Sequence, residues 1–176
     1  MPERLLWTER IFSYFHINAD NFRQQILIRF FFLFLIWLSG TLAYSSDGLL
    51  MSYLLNVNII QGFYVTGFLI LLGSYWVTRE FRKLIPSFRP ILEMDDTQFR
   101  RFSEKLGRFI YSSIPCILLA AVLIIFLSGV PGELQRVLSE GFKSHLIWNI
   151  VSTSFFNLLA GTGIWMFLSI WLTIFI

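Results

Sequence analysis

The chain has 176 residues, of which 56% are hydrophobic and only 14% charged. Soluble globular domains carry about a quarter charged residues, so this chain has too few to cover a water-facing surface. A net charge of +3 sits on that apolar background without any phosphate-cradling glycine loop or interleaving of aromatic and basic residues. The composition therefore points away from a nucleic-acid partner and towards a bilayer.

Apolar residues come in blocks. Charge-free runs cover residues 30–46, 48–78, 109–132 and 144–176. About 20 helical residues cross ~30 Å of hydrocarbon, and the runs lack the two-residue alternation of a barrel strand. The predicted fold is an all-α integral membrane four-helix bundle with spans near 25–45, 59–77, 109–129 and 146–167. Four parts follow: an N-terminal interfacial segment (1–22), a first transmembrane hairpin (23–77), a basic cytoplasmic helical hairpin (78–108) and a second transmembrane hairpin (109–176).

Residues 3–17 place Trp7, Ile11, Tyr14 and Phe15 on one helical face, with Glu9, Ser13 and His16 opposite, which suits a membrane interface. Residues 18–21 form a turn or cap into the first span. Arg29, one turn inside that span, is expected to snorkel back to the cytoplasmic headgroups rather than to form a buried ion pair. Residues 49–58 read as a short outer helix or loop, because Asp47-Gly48 breaks the chain before them. In the second span Gly62, Thr66, Gly67 and Gly73 are small residues that allow close helix packing.

Twelve basic residues precede or enter the first span or lie between spans two and three, against two, Arg136 and Lys143, between spans three and four. Positive charge collects on cytoplasmic segments, so both chain ends and residues 78–108 are predicted inside, in a plasma or bacterial inner membrane. Arg79, Arg82, Lys83, Arg100, Arg101 and Lys105 are candidates for contact with anionic lipid headgroups or a cytoplasmic protein partner. Residues 78–84 should prolong the second helix, Pro86 and Pro90 should end it, and a new helix should start at Asp95 or Asp96. Its apolar face is Phe99, Phe102, Leu106 and Phe109. Pro115 can kink the third span, and Cys116 reads as a packing residue.

The fourth apolar stretch carries His145, Asn149, Thr153, Asn157 and Gly161 at intervals of four. Such a row either hydrogen-bonds across a helix interface or lines a wet crevice or pore of a homo-oligomer. The stretch ends without a charged or polar stop, which suggests a chain that continues beyond Ile176 with a further domain. No metal-ligand cluster, nucleophile elbow or intramembrane carboxylate is legible, so no cofactor and no catalysis are expected. The leading functional expectation is an oligomeric ion channel or pore-forming subunit, and the rival is a non-catalytic anchor or sensor module.

Overall fold

A computed structural model describes residues 6–15, 21–57 and 59–175, without the side chains of residues 61–63, 82, 174 and 175. All regular elements among the described residues are helices. Three stretches are long and apolar enough to cross a membrane: Phe22–Ser46, Asp96–Leu127 and Ser144–Thr173. The chain is thus an all-helical protein with the marks of a membrane protein.

Helix α1 (Trp7–Ser13) precedes α2 (Phe22–Ser46), whose first turn is capped by the Asn21 side chain accepting from the Gln24 backbone N–H at 3.3 Å. Helix α2 buries Gln25, Arg29, Leu33, Gly40 and Tyr44. These lie four, four, seven and four residues apart, a single stripe at helical spacing. Its other faces expose Leu27, Phe31 and Leu42, as a lipid-facing helix requires. Gly48, at φ +73°, turns the chain into α3 (Leu50–Leu54). Burying Tyr53 beneath the end of α2 requires a glycine there, because a Cβ on Gly40 would fall 2.3 Å from the Tyr53 hydroxyl and 2.7 Å from the Trp148 ring.

A π-helical turn, Ile59–Val65, leads without interruption into α4 (Thr66–Leu84). The helix ends at the expected proline break, where Ile85–Phe88 tighten into a 3-10 turn. Helix α5 (Asp96–Ile110) starts with a capping box: Asp95 accepts from the Gln98 backbone N–H at 2.7 Å, and the Gln98 side chain accepts from that of Asp95 at 3.3 Å. Ser112 is extended (φ −70°, ψ 127°) and separates α5 from α6 (Ser113–Val122). Pro115 supplies the reason, since its ring and missing N–H prevent a helix from passing smoothly through residues 111–115. Helix α6 ends in a second π-helical turn, Leu123–Leu127.

Helix α7 (Val130–Glu140) has no counterpart among the expected elements, and α8 (Ser144–Phe175) closes the chain. At about 1.5 Å per residue α8 is roughly 48 Å long, and it passes unbroken through the Ala160–Gly163 stretch. Helices α2, α4, α6 and α7 all pack on α8. The inner core is Leu33, Leu71, Phe156 and Leu159, joined by Phe12 from α1.

The docking of α1 leaves most of its aromatic face outward. Leu6, Thr8 and Phe12 are buried, whereas Ile11, Tyr14 and Phe15 are exposed. The cause is Arg29. It is fully buried rather than snorkelling, and α1 turns towards it the face that carries Glu9 and Phe12.

Candidate functional site

The polar row of α8 divides into four separate contacts. At its start, His145 is buried and closes onto the turn after α2. One oxygen of Asp47, Oδ2, accepts the His145 backbone N–H at 2.8 Å and lies 2.7 Å from its Nδ1. Asp47 therefore caps the first turn of α8 from another element, satisfying an N–H that a helix leaves unpaired. Those contacts, the backbone N–H first and the imidazole second, hold the Asp47 carboxyl below its ordinary range.

One turn on, Asn149 joins three helices. The Tyr44 hydroxyl of α2 donates to Asn149 Oδ1 at 2.7 Å, and Asn149 Nδ2 donates to Glu133 Oε1 of α7 at 3.5 Å. Glu133 pairs in turn with Arg136 at 3.4 Å. Arg136 reaches Glu140 at 3.2 Å, and Lys143 meets the same carboxylate at 2.7 Å. Lys143 and then Arg136 pull the Glu140 carboxyl down, while Glu140 raises the Arg136 guanidinium. Aromatic rings wall in this end of the molecule. Tyr53 lies 4.7 Å from Tyr44 and 5.4 Å from Trp148 between ring centres, and its hydroxyl is 2.6 Å from that of Tyr64.

The middle of the row turns inward on its own helix. Asn157 Nδ2 donates to the Thr153 carbonyl at 2.8 Å, and both residues are half-buried. At Gly161 α8 lies directly against the backbone of α6. A Cβ there would stand 2.7 Å from the Cys116 carbonyl oxygen and 2.8 Å from the Ala120 nitrogen, both backbone atoms of α6.

The α4 set of small residues is likewise divided. A Cβ on Gly67 would meet the Phe156 ring at 2.5 Å, but one on Gly73 would meet nothing within 4 Å, and Thr66 is exposed. Within this chain, then, Gly73 is not at a close helix contact. Gly62 lies in the stretch whose side chains are outside the described residues.

The opposite end of the molecule holds a site that the sequence reading missed. The Arg29 guanidinium meets both Glu9 oxygens, at 2.7 and 2.9 Å. It also donates to the Leu71 carbonyl at 3.1 Å and to the Gln25 backbone and side chain. The rings of Phe12 and Tyr75 lie 4.4 and 4.8 Å from its Cζ. One charged residue thereby ties α1, α2 and α4 together. Trp7 adds α8, its Nε1 donating to Thr162 Oγ1 at 2.8 Å. The signal in the sequence is a lone carboxylate on a short amphipathic helix, upstream of an arginine set two turns inside an apolar one.

Of the basic set, Lys83 pairs with Glu80 at 2.7 Å and Arg100 with Glu104 at 3.2 Å. Arg101 and Lys105 are exposed and make no ion pair among the described residues. Arg79 is half-buried, and the Arg82 side chain lies outside the described residues. Among the described residues no group of three His, Cys, Asp or Glu side chains could hold a metal ion. An apolar groove of about 430 Å³ runs between α2 and the start of α4, lined by Phe30, Phe34, Trp37, Tyr64, Phe68 and their neighbours.

Comparison with protein-family models, with curated proteins and with solved structures finds no match to this chain.

Proposed function

We propose that the protein is a four-span membrane anchor or sensor module without catalytic activity. In this reading its N-terminus and residues 78–108 lie on the cytoplasmic side, and its basic helical hairpin faces the inner leaflet and the cytoplasm. The fourth span is the helix running from Ile59 to Leu84. Its charge-free part extends to Thr78, and it packs on α2 and α8 as the other long helices do. Its last turns carry Arg79 and Lys83 out of the hydrocarbon, as positive flanks on the inner side do. On the other side α7 and the turn after it would lie along the outer interface, because Leu138 and Phe142 are each 88% exposed and water is a poor solvent for both.

One observation carries this reading over a pore. Most of the polar row of α8 is engaged within a single chain: His145 by Asp47, Asn149 by Tyr44 and Glu133, Asn157 by its own helix, and Gly161 by α6. Groups bonded to one another in this way serve packing before they serve an ion's hydration.

Reconstitution separates the two functions. Liposomes containing the purified protein should conduct no more than protein-free ones. Asn149→Leu should lower stability by about 1–2 kcal/mol and Asn157→Leu by no more than about 0.6 kcal/mol, read from thermal melts in detergent. A conductance that either substitution changes would replace the anchor reading with a channel.

A further inference from the structure

Helix α5 has the form of a helix that lies in a membrane surface. Its apolar residues Phe99, Phe102 and Leu106 are only half-buried by the rest of the chain, and Phe109 is 42% exposed. At about 100° per residue, Arg101, Lys105 and Arg108 share an arc of roughly 60°, directly beside the apolar arc. All three are exposed and make no ion pair among the described residues, whereas Arg100 is neutralised by Glu104 and Arg89 by Asp96. The extended residue Ser112 takes α5 off the axis of α6. Its last turn is held at the bundle by the Phe109–Trp165 ring contact, at 5.0 Å, and by Trp165 Nε1 donating to the Ile110 carbonyl at 3.2 Å. The helix is therefore anchored at its C-terminal end beside the apolar segment and directed away from the α6 axis.

We propose that α5 lies in the plane of the cytoplasmic leaflet, Phe102 and Leu106 among the acyl chains and Arg101, Lys105 and Arg108 on the phosphates of anionic lipids. This rests on the membrane orientation proposed above and identifies the partner of the basic hairpin as lipid. The charge arrangement favours lipid over protein: the unpaired cations flank the apolar arc on one side, where headgroups sit when an amphipathic helix sinks to the level of the acyl boundary. Of the paired couple, Arg100 flanks the apolar arc on its other side and Glu104 lies opposite that arc.

The test uses the full chain with Cys116→Ser and one spin-labelled cysteine at a time, at Phe102, Leu106, Glu104 or Leu118. The protein is placed in phosphatidylcholine vesicles with or without about 30 mol % phosphatidylglycerol. Collision with oxygen, which concentrates in lipid, is compared with collision with a water-soluble nickel chelate. In anionic vesicles the labels at 102 and 106 should favour oxygen and the label at 104 the chelate. The combined substitution R101Q/K105Q/R108Q should weaken docking roughly 100-fold, about 5-fold per cation, and strong salt should weaken it too.

Identical behaviour of labels 102 and 106 in neutral and anionic vesicles, or in the combined variant, would overturn the proposal. So would shielding of both labels from both reagents, which would mean that the face packs on protein. The label at Leu118, an exposed residue of α6, keeps the two readings apart. If 118 meets oxygen while 102 and 106 meet the chelate, only the placement of α5 fails; if 118 also meets the chelate, the membrane orientation fails with it.

Discussion

Arg29 is the residue on which the arrangement at one end of the molecule depends. A guanidinium taken fully out of solvent loses its hydration, and only a facing carboxylate with further acceptors makes up that loss. Glu9, Gln25 and the Leu71 carbonyl do so here. Glu9→Gln leaves the guanidinium buried with only its neutral partners and should destabilise the protein by about 3 kcal/mol, read as a lower melting temperature in detergent. Adding Arg29→Met to that variant should recover part of the loss, because the unpaired charge disappears with it. A double variant no more stable than Glu9→Gln would mean that Arg29 contributes chiefly through its rings and carbonyls.

Asp47 works in the opposite electrostatic sense, with a known sign. Its carboxyl lies lower when folded than when unfolded, because the His145 backbone N–H and imidazole favour the charged form. Its stabilising contribution is thus complete above the unfolded value of about 4 and is lost as pH falls through the folded one. Melting temperatures of the wild type should fall with acidity below about pH 4, and Asp47→Asn should flatten that dependence while lowering stability near neutrality. An unchanged acid limb in the variant would assign the effect to another carboxylate.

Among the elements, α6 and α8 approach each other backbone to backbone, and what allows it is a single missing Cβ. Gly161→Val would force side-chain atoms against the Cys116 carbonyl and the Ala120 nitrogen. Backbone cannot swing aside as a flexible side chain can, so the helices must separate, at about 1–3 kcal/mol. Gly73→Ala is the control. Nothing lies within 4 Å of the added carbon, and alanine is the better helix former by about 0.8–1 kcal/mol, so the variant should melt at the same temperature or higher. A marked loss at position 73, accompanied by a change in sedimentation, would instead show that α4 packs there on a second copy of the chain.

For the molecule as a whole, the basic residues define the proposed orientation, and labelling from one side tests it. In a Cys116→Ser background, a cysteine at Gly48 should react with a membrane-impermeant thiol reagent applied outside intact cells, whereas one at Thr97 should react only after lysis. Reaction of both from the outside would remove residues 78–108 from the cytoplasm. Cys116 itself, fully buried on α6, should stay unmodified in the folded wild type.

The long apolar runs, the cap at Asp95 and the break at Pro86 were legible from the sequence alone, because length, local capping and the missing proline N–H act within a few residues of one another. The three long, apolar helical stretches and the all-helical fold follow from those local signals. The tertiary structure decided what each polar residue is for. A row at intervals of four shows where α8 carries polar groups, but not that Asp47 lies across from His145, Tyr44 beside Asn149 or α6 against Gly161; these partners are up to about a hundred positions away in the chain. Helical periodicity likewise gathered Ile11, Tyr14 and Phe15 on one face of α1, which the structure leaves exposed, but it could not say which residues dock on the bundle. The choice was made by the need of one buried guanidinium for a carboxylate.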